Sequence, residues 1–224
     1  YGNYLGVTSF RTIFALENTL SMKDKIINKA TEMFLKLGFK SVTMDDIASE
    51  MCMSKKTIYK YFCQKEALIN ETTEAFHNDF QLGIQKIINQ NFNAIQENFE
   101  IRKMFKEMLQ STDTSPAYQL KKHYPEIYLK VATRSTNHCK SVFEANIEKG
   151  IKEGLYRAEL TISSYVYFYY NLIFAINENT SSEKEAKILE LQALEYHIRA
   201  LATPNGITEL ENQLANPKYL INEK

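Results

Sequence analysis

The side chains best able to do chemistry in this chain are the lysines and tyrosines between residues 54 and 65. Four lysines and no acidic residue fall in this interval, namely Lys55, Lys56, Lys60 and Lys65. The whole chain has 27 basic and 27 acidic residues, so this positive charge is local. Ammonium groups beside threonine and tyrosine hydroxyls are suited to holding phosphates. The interval therefore predicts a surface that contacts a nucleic-acid backbone.

Two short helices joined by a tight turn are predicted to position these lysines. Thr43 can cap the first helix, and Asp46 three residues later completes a variant of the capping box. Ser54 is a second cap candidate, so Cys52-Met53 must form a sharp turn between crossing helices. A second helix of this kind fits the major groove of DNA, with its N-terminal side chains at base edges.

The charge of the chain is divided unevenly along its length. Residues 22–67 contain nine lysines and six acidic residues, a balance of +3, so the remainder carries −3. A basic N-terminal part with a mildly acidic remainder is typical of a DNA reader that carries a second domain.

The order of these parts resembles the tetracycline-repressor (TetR/AcrR) family of bacterial transcription regulators. The matching parts are a helix ending at Gly38-Phe39, Thr43-x-x-x-Ile47-Ala48, Ser54, Thr57-Ile58-Tyr59-x-Tyr61-Phe62, and Lys65-Glu66-x-Leu68. They cover roughly the first fifth to quarter of the chain, and a multi-part match is more specific than one short motif. The segment Glu148–Leu160, EKGIKEGLYRAEL, also resembles the family. One departure is Cys63-Gln64, where such sequences often have a small polar residue.

The resemblance implies an all-α protein with an N-terminal three-helix helix-turn-helix DNA-binding domain and a helical effector-binding and dimerisation domain. The predicted divisions are an N-terminal extension (1–21), a DNA-binding head (22–67) and a body (68–224). Residues 1–21 lack an initial methionine and are too broken for a signal peptide or a membrane span. They are interpreted either as an upstream translation artefact, with Met22 the true start, or as an extra helix or arm.

Nine residues are predicted to contact DNA, from the local charge together with the resemblance. They are Thr43, Ser54, Lys55, Lys56, Thr57, Tyr59, Lys60, Tyr61 and Lys65. The phosphate contacts of the two tyrosines and of Lys65 are what the resemblance implies. Each residue has a plainer alternative: lysines are usually a solvated helix face, the tyrosines could pack, and Thr43 could serve only as a cap.

Composition predicts long helices after the head. The chain contains only four prolines and seven glycines and has no stretch of about eighteen apolar residues, which argues against a membrane span. Three scattered cysteines favour a reducing cytoplasm over a disulfide framework. Hydrophobic periodicity and proline positions predict helices at Lys65–Ile87, Phe92–Leu109, Ala117–His123, Pro125–Gly150, Ile162–Asn177 and Ser182–Ala202, with a break at Thr112–Pro116 and a short helix in the tail.

The last two long helices predict a homodimer. The helix Ile162–Asn177 is apolar almost all round. It must therefore be buried on the side that faces away from its own domain as well as on the side that faces it. Such a pair predicts a four-helix interface with the same pair of a second chain, and the resemblance implies the same. The alternative is that both helices serve only the internal core. Dimerisation suits the reading mechanism, because a symmetric pair presents two reading helices to a palindromic operator.

The aromatic and methionine-rich body predicts a small effector, apolar or aromatic rather than charged. In the family, a ligand that enters the body shifts the spacing of the heads and releases DNA. Candidate ligand-binding residues are Met104, Phe105, Met108, Tyr128, Phe143, Ile147, Tyr165, Phe168 and Tyr169. For any single one of them, a place in the ordinary core is the simpler interpretation, since apolar residues at helical spacing usually pack there.

An enzyme or a metal protein is not expected. The chain has no nucleophile elbow and no glycine-rich phosphate loop, and its four histidines lie apart without a metal-ligand pair. No catalytic residue, metal or cofactor is predicted. The remaining alternative is a helical interaction module whose basic patch meets an acidic protein or a membrane surface. Sequence preference for a DNA palindrome distinguishes this alternative from a transcription regulator.

Overall fold

The computed structural model describes residues 20–109 and 115–219, and in these ranges the protein is all helical. Apart from one isolated bridge between Tyr156 and Ala202, no β-structure occurs there. The predicted fold class is confirmed. The helices are α1 (Met22–Leu37), α2 (Met44–Glu50), α3 (Lys55–Tyr61), α4 (Lys65–Ile88), α5 (Ala94–Met108), α6 (Pro116–His123), α7 (Pro125–Lys152), α8 (Ile162–Asn179), α9 (Glu183–Leu201) and α10 (Pro204–Leu214).

Local sequence signals fix the first helix at both ends. The Ser21 hydroxyl accepts a hydrogen bond from the backbone N–H of Asp24, whose carboxylate accepts one in return from the Ser21 backbone. Gly38 ends the helix with φ of 91°, and its N–H donates to the Phe34 carbonyl at 2.9 Å. Because only glycine adopts this backbone conformation at low cost, Gly38 is the residue that turns the chain towards α2.

The body helices lie within two residues of their predicted bounds. The largest differences are at α5, which begins at Ala94, and at α7 and α8, which run on to Lys152 and Asn179. In α8 the side-chain amide of Asn179 donates to the Ala175 carbonyl at 2.8 Å, in the two residues by which the helix exceeds its predicted end at Asn177. The break at residues 112–114, the extension before residue 20 and the tail after residue 219 lie outside the described residues. None of the described helices has the length and apolar character needed to cross a membrane.

Three clusters of buried side chains form the core. The first joins α1, α2, α3 and the start of α4 to Leu120, Ile127 and Tyr128 of α6 and α7. The second packs α5, α7, α8, α9 and α10 together, and the third joins α4, α5 and α7 through Ile84, Ile87 and Met104. The first cluster crosses the predicted division at residue 67, so the head is packed directly onto the body.

The segment that resembles the family outside the head forms a close packing contact. A Cβ atom on Gly150 would lie 2.1 Å from Cδ2 of Tyr156, so only glycine lets this ring lie against α7. Gly154 supplies the turn between them with φ of 71°. The Tyr156 hydroxyl then reaches the amide of Asn98 on α5, which donates to it at 3.3 Å. This turn thus ties the end of α7 to α5.

A buried charge cluster joins α5 to α9. The Lys106 ammonium lies 3.3 Å from the carboxylate of Glu183 and also contacts that of Glu190. Both glutamates are buried, with exposed fractions of 1% and 4%. Asn177 donates to Glu190 at 2.8 Å. One lysine therefore pairs with two carboxylates that water barely reaches.

Candidate nucleic-acid interface

The first helix of the predicted reading element begins at a complete capping box. Thr43 Oγ1 accepts a hydrogen bond from the Asp46 N–H at 3.1 Å, and Asp46 Oδ2 accepts from the Thr43 N–H at 2.8 Å. The bond from the Thr43 backbone, followed by that from its hydroxyl, lowers the pKa of Asp46. Below this anchor, Ile47 and Ala48 are buried against α1 and α3. The Thr43 side chain remains exposed at the helix N-terminus, where a phosphate would find backbone donors.

The turn between α2 and α3 depends on one unusual residue. Cys52 has φ of 51°. Among the described residues it is the one non-glycine residue with a positive φ. Its N–H donates to the Ser49 carbonyl, and the Met53 N–H donates to the Ala48 carbonyl, both at 3.0 Å. Left-handed backbone is uncommon for residues other than glycine, asparagine and aspartate. A cysteine at this position therefore does not let the sequence predict a left-handed conformation.

The second helix, α3, presents its charged and aromatic side chains outward. Ser54 caps it by accepting from the Thr57 N–H at 3.1 Å, and the two hydroxyls lie 2.8 Å apart. Ile58 and Phe62 are its inward contacts, with exposed fractions of 0% and 3%. Outward lie six of the nine predicted contact residues: Ser54, Lys55, Lys56, Tyr59, Lys60 and Tyr61. Thr57 is half-buried.

The lysines of α3 differ in their partners. Lys55 lies 2.8 Å from the Asp45 carboxylate and over the ring of Tyr59, and its hydrogen bond to Asp45 raises its pKa. Both members of this pair are more than half exposed, so it is weak and can be exchanged for a phosphate. In the described part of the chain Lys56 and Lys60 have no acidic partner. These two ammonium groups give α3 its uncompensated positive charge.

Lys65 differs from the other predicted contact residues, because it is half-buried at the joint between head and body. Its ammonium donates to the Lys40 carbonyl at 3.2 Å and lies over the rings of Phe34 and Tyr124, at 5.9 and 5.7 Å. A phosphate would have to compete with these contacts. The phosphate contact of Lys65 remains a prediction. In the structure its side chain joins α4 to α1 and α7.

Two residues that hold the head in place were not found from the sequence. Gln119 Oε1 accepts a hydrogen bond from the Phe39 N–H at 2.9 Å, and the Tyr124 hydroxyl donates to the Phe39 carbonyl at 3.3 Å. Both polar groups of the Phe39 backbone are thus held by the α6 segment. The partners are 80 and 85 residues apart in the chain, and no local pattern reveals such a contact.

The nine candidate ligand-binding residues do not lie together. Tyr128 is in the first core cluster, Met104 and Met108 are in the third, and Phe105 packs against Phe80 beside it with 5.1 Å between ring centroids. The second cluster contains Phe143, Ile147, Tyr165 and Tyr169. Phe168 is 62% exposed and faces away from the core. The candidate residues thus lie in three different parts of the body, and their contact with a ligand stays a prediction.

Two surface depressions of about 560 and 510 Å³ lie elsewhere. The first is formed between Gln90–Asn93 and the end of α7, and the second at the head–body joint, around Asn70, His123 and Glu126. None of the nine candidate ligand-binding residues lines either depression. Among the described residues, no group of three His, Cys, Asp or Glu side chains could hold a metal ion.

Comparison with known proteins identifies what the head resembles. Residues 26–72 match the sequence model of bacterial regulatory proteins of the tetR family, and the match covers α1 to α3 and the start of α4. The head of the chain is therefore similar to the DNA-binding part of tetR-family regulators. This confirms the predicted resemblance, and the match to a family of regulatory proteins agrees with the expectation that the chain is not an enzyme.

Similarity to an HTH-type transcriptional regulator extends into the body. The chain is 24% identical to an uncharacterized HTH-type transcriptional regulator, YerO of Bacillus subtilis (strain 168), over 80% of this chain and 65% of that protein. It is 34% identical to the biofilm operon regulator IcaR of Staphylococcus epidermidis, over 26% of this chain and 32% of IcaR. The chain thus spans less than two thirds of the length of these relatives.

A solved structure shares the fold. A transcriptional regulator from Cytophaga hutchinsonii ATCC 33406 superposes with a TM-score of 0.65 at 20% identity, over 80% of this chain and 98% of that one. The likeness of fold therefore covers the body as well as the head of this chain.

We expect Lys60→Ala to weaken binding to every duplex DNA by a similar factor and to flatten the salt dependence of log K by about one unit, because one phosphate contact is lost. Since Lys60 is exposed and has no acidic partner in the described part of the chain, folding should not change. Binding titrations at several salt concentrations measure both effects. Lys152→Ala, an exposed lysine at the end of α7, is the matched control. An unchanged slope for Lys60→Ala would remove this residue from the phosphate contacts.

Proposed function

We propose that this protein is a sequence-specific DNA-binding regulator of the TetR family that represses transcription by binding a palindromic operator as a homodimer. The observation that carries the proposal is the outward face of α3, where Lys56 and Lys60 stand uncompensated beside Tyr59 and Tyr61. The tyrosines are 42% and 43% exposed, which a packing role alone does not require. A short capped helix of this composition suits the major groove, with its hydroxyls and ammonium groups on phosphates.

Exposed apolar side chains on α8 and α9 support the homodimer. On α8, Phe168 and Leu172 are one turn apart and exposed by 62% and 39%; on α9, Ile188 and Tyr196 are exposed by 38% and 70%. The other side of α9 faces the second core cluster through Leu194, Ile198 and Leu201. One face of this helix pair therefore serves the protomer, and the other leaves large apolar groups for a second copy.

The joint between head and body supports control by a small effector bound in the body. Gln119 and Tyr124 hold the backbone of Phe39, and Leu120 and Tyr128 complete the core under α1 and α4. A ligand that shifted α6 or α7 would act directly on the orientation of the head. We propose that two arrangements of this joint differ in the spacing of the two reading helices, and that the effector favours one of them.

We propose that the chain is divided into a head (22–67) and a body (68–224). We also propose that the protein works in the cytoplasm. The predicted extension (1–21) falls mostly outside the described residues and takes no part in the proposal.

The test is selection of bound sequences from random duplex DNA by the purified full chain at physiological salt. The expected result is enrichment of an inverted repeat whose half-sites are about one helical turn apart, roughly 34 Å centre to centre. Enrichment of no sequence, with only weak and salt-sensitive binding, would contradict the proposal and favour a basic interaction module. The same selection with Lys56→Ala and Lys60→Ala combined should recover little DNA.

A further inference from the structure

Two buried polar atoms on α7 have no hydrogen-bond partner in the described part of the chain: Nε of Arg134 and Nε2 of His138. The two residues are four apart on one helix, so their side chains lie on the same face, one turn from each other. Buried donors are nearly always paired with protein, water or ligand. Nε of Arg134 is a donor, and Nε2 of His138 is a donor in the tautomer that carries its proton there. Two such neighbouring donors favour an acceptor with more than one oxygen.

The facing helix, α4, lies against these two residues, and the space between the two helices at this point is called the cleft. The ring of His77 meets that of His138 edge to face, with 6.1 Å between centroids. Arg134 is anchored by its Nη2, which donates to the Thr73 carbonyl at 3.1 Å, so its Nε edge keeps a fixed direction. The nearest acid is Glu74, more than half exposed and 3.9 Å from Nη1 of Arg134.

His77 is buried beside Arg134 and His138. Its other close contact is Gln81, whose amide nitrogen lies 2.9 Å from Nε2 of His77. Burial lowers the pKa of His77, and the charges of Arg134 and His138 lower it further, against a smaller opposite effect of Glu74. Of the neighbouring charges, that of Arg134 has the largest effect, so its guanidinium is the group that an anion would contact here.

An apolar surface adjoins the cleft. Val142 lies one turn beyond His138 on α7, and Phe80 lies three residues beyond His77 on α4. Both are half-buried and pack against the third core cluster, as does Met108. The Phe105 ring lies 5.1 Å from that of Phe80 at 61°, in an edge-on arrangement. Phe80, Val142 and Met108 are therefore only partly buried at the edge of the third core cluster.

We propose that the cleft between α4 and α7 binds the carboxylate of a small aromatic acid, with the oxygens on Arg134 and His138 and the ring against Phe80 and Phe105. This inference rests on the proposed function and names the chemical class of its effector. It adds a negative charge to the apolar effector expected from the sequence. Because α4 begins at Lys65, directly after the reading element, a ligand joining α4 to α7 acts on the helix that carries the head.

The test is calorimetric titration of the full chain, without DNA, with biphenyl-4-carboxylate and with the uncharged biphenyl-4-carboxamide of the same shape. The carboxylate is expected to bind about tenfold or more tightly than the amide, as a charge-assisted hydrogen bond provides. Arg134→Gln and His138→Phe should each abolish this preference. Lys130→Gln, an exposed residue one turn earlier on α7, removes the same charge and should preserve it.

The proposal would be overturned if the two compounds bound with equal affinity or if neither bound. It would also be overturned if folded Arg134→Gln kept the full preference for the carboxylate. If Arg134→Gln fails to fold because the Thr73 carbonyl loses its donor, His138→Phe decides, since it keeps a ring against His77. Carboxylate binding by a protein that selects no operator would leave the site standing and remove the regulatory role. Operator selection without a carboxylate preference would remove only the site.

Discussion

Phe168→Asp is expected to convert the proposed dimer to a monomer and to lower the affinity for the proposed operator about a hundredfold or more, because each reading head would then bind its half-site alone. Phe168 is 62% exposed on α8, beside the exposed Leu172, in the middle of the apolar face shared with α9. A carboxylate placed there would have to be buried without a partner in the dimer, and such burial is strongly unfavourable. In the monomer the same carboxylate would remain in water, so the fold itself should be kept.

Sedimentation measures the mass of the variant, and titration with the selected operator measures its affinity. The matched control is Leu82→Asp, because Leu82 is 61% exposed on α4 and lies outside the α8 and α9 face. That variant should remain a dimer with unchanged affinity. A Phe168→Asp protein that sediments as a dimer would show that the exposed face of α8 is not the interface.

Lys106→Met is expected to lower the free energy of unfolding by about 3–5 kcal/mol, because it leaves two buried carboxylates without their shared cation. Glu183 and Glu190 are almost inaccessible to water, and in the described ranges Oε2 of Glu183 has no hydrogen-bond partner. Urea unfolding of wild type and variant measures the loss. Lys103→Met, which removes the partly exposed ion pair with Glu107, is the control and should cost less than about 1 kcal/mol.

The loss should shrink as the pH falls. Burial already raises the pKa of Glu183, which Lys106 partly opposes, and removal of Lys106 raises it further. A carboxyl group whose pKa is higher in the folded state stabilises the fold below its unfolded pKa, and this contribution is lost as pH rises through the folded pKa. The variant should therefore be closer to wild type at about pH 5 than at about pH 8. Replacing both glutamates by glutamine in the Lys106→Met background should restore most of the stability, and a loss independent of pH would contradict this explanation.

Helix positions followed from the sequence because their signals are local. Thr43, Ser54 and Pro125 mark helix starts through a side-chain oxygen or a fixed φ, and the structure has helices beginning at the next residue or at the proline itself. The spacing of Ile58 and Phe62 predicted which side of α3 faces the core and which side faces the solvent. The charge pattern likewise placed the lysines correctly on the exposed face.

What the sequence did not reveal depends on contacts between distant residues. The hydrogen bond between Phe39 and Gln119 joins helices that only the packed fold brings together. The candidate ligand-binding residues were chosen for side-chain type, and type cannot separate core positions such as Ile147 from surface positions such as Phe168. The cleft of Arg134 and His138 escaped notice because an arginine and a histidine four apart on a helix usually form an ordinary polar face.

The shared core beneath the head restricts how this head can be recombined with the body of another regulator. Leu120, Ile127 and Tyr128 close the apolar underside of the first three helices, although they lie more than fifty residues beyond the predicted division at residue 67. A hybrid regulator spliced at that division would place a foreign reading unit on side chains shaped for this one. Exchange of operator specificity between such proteins should therefore succeed when the segment from Pro116 to Tyr128 travels with the reading unit, even though it touches no DNA.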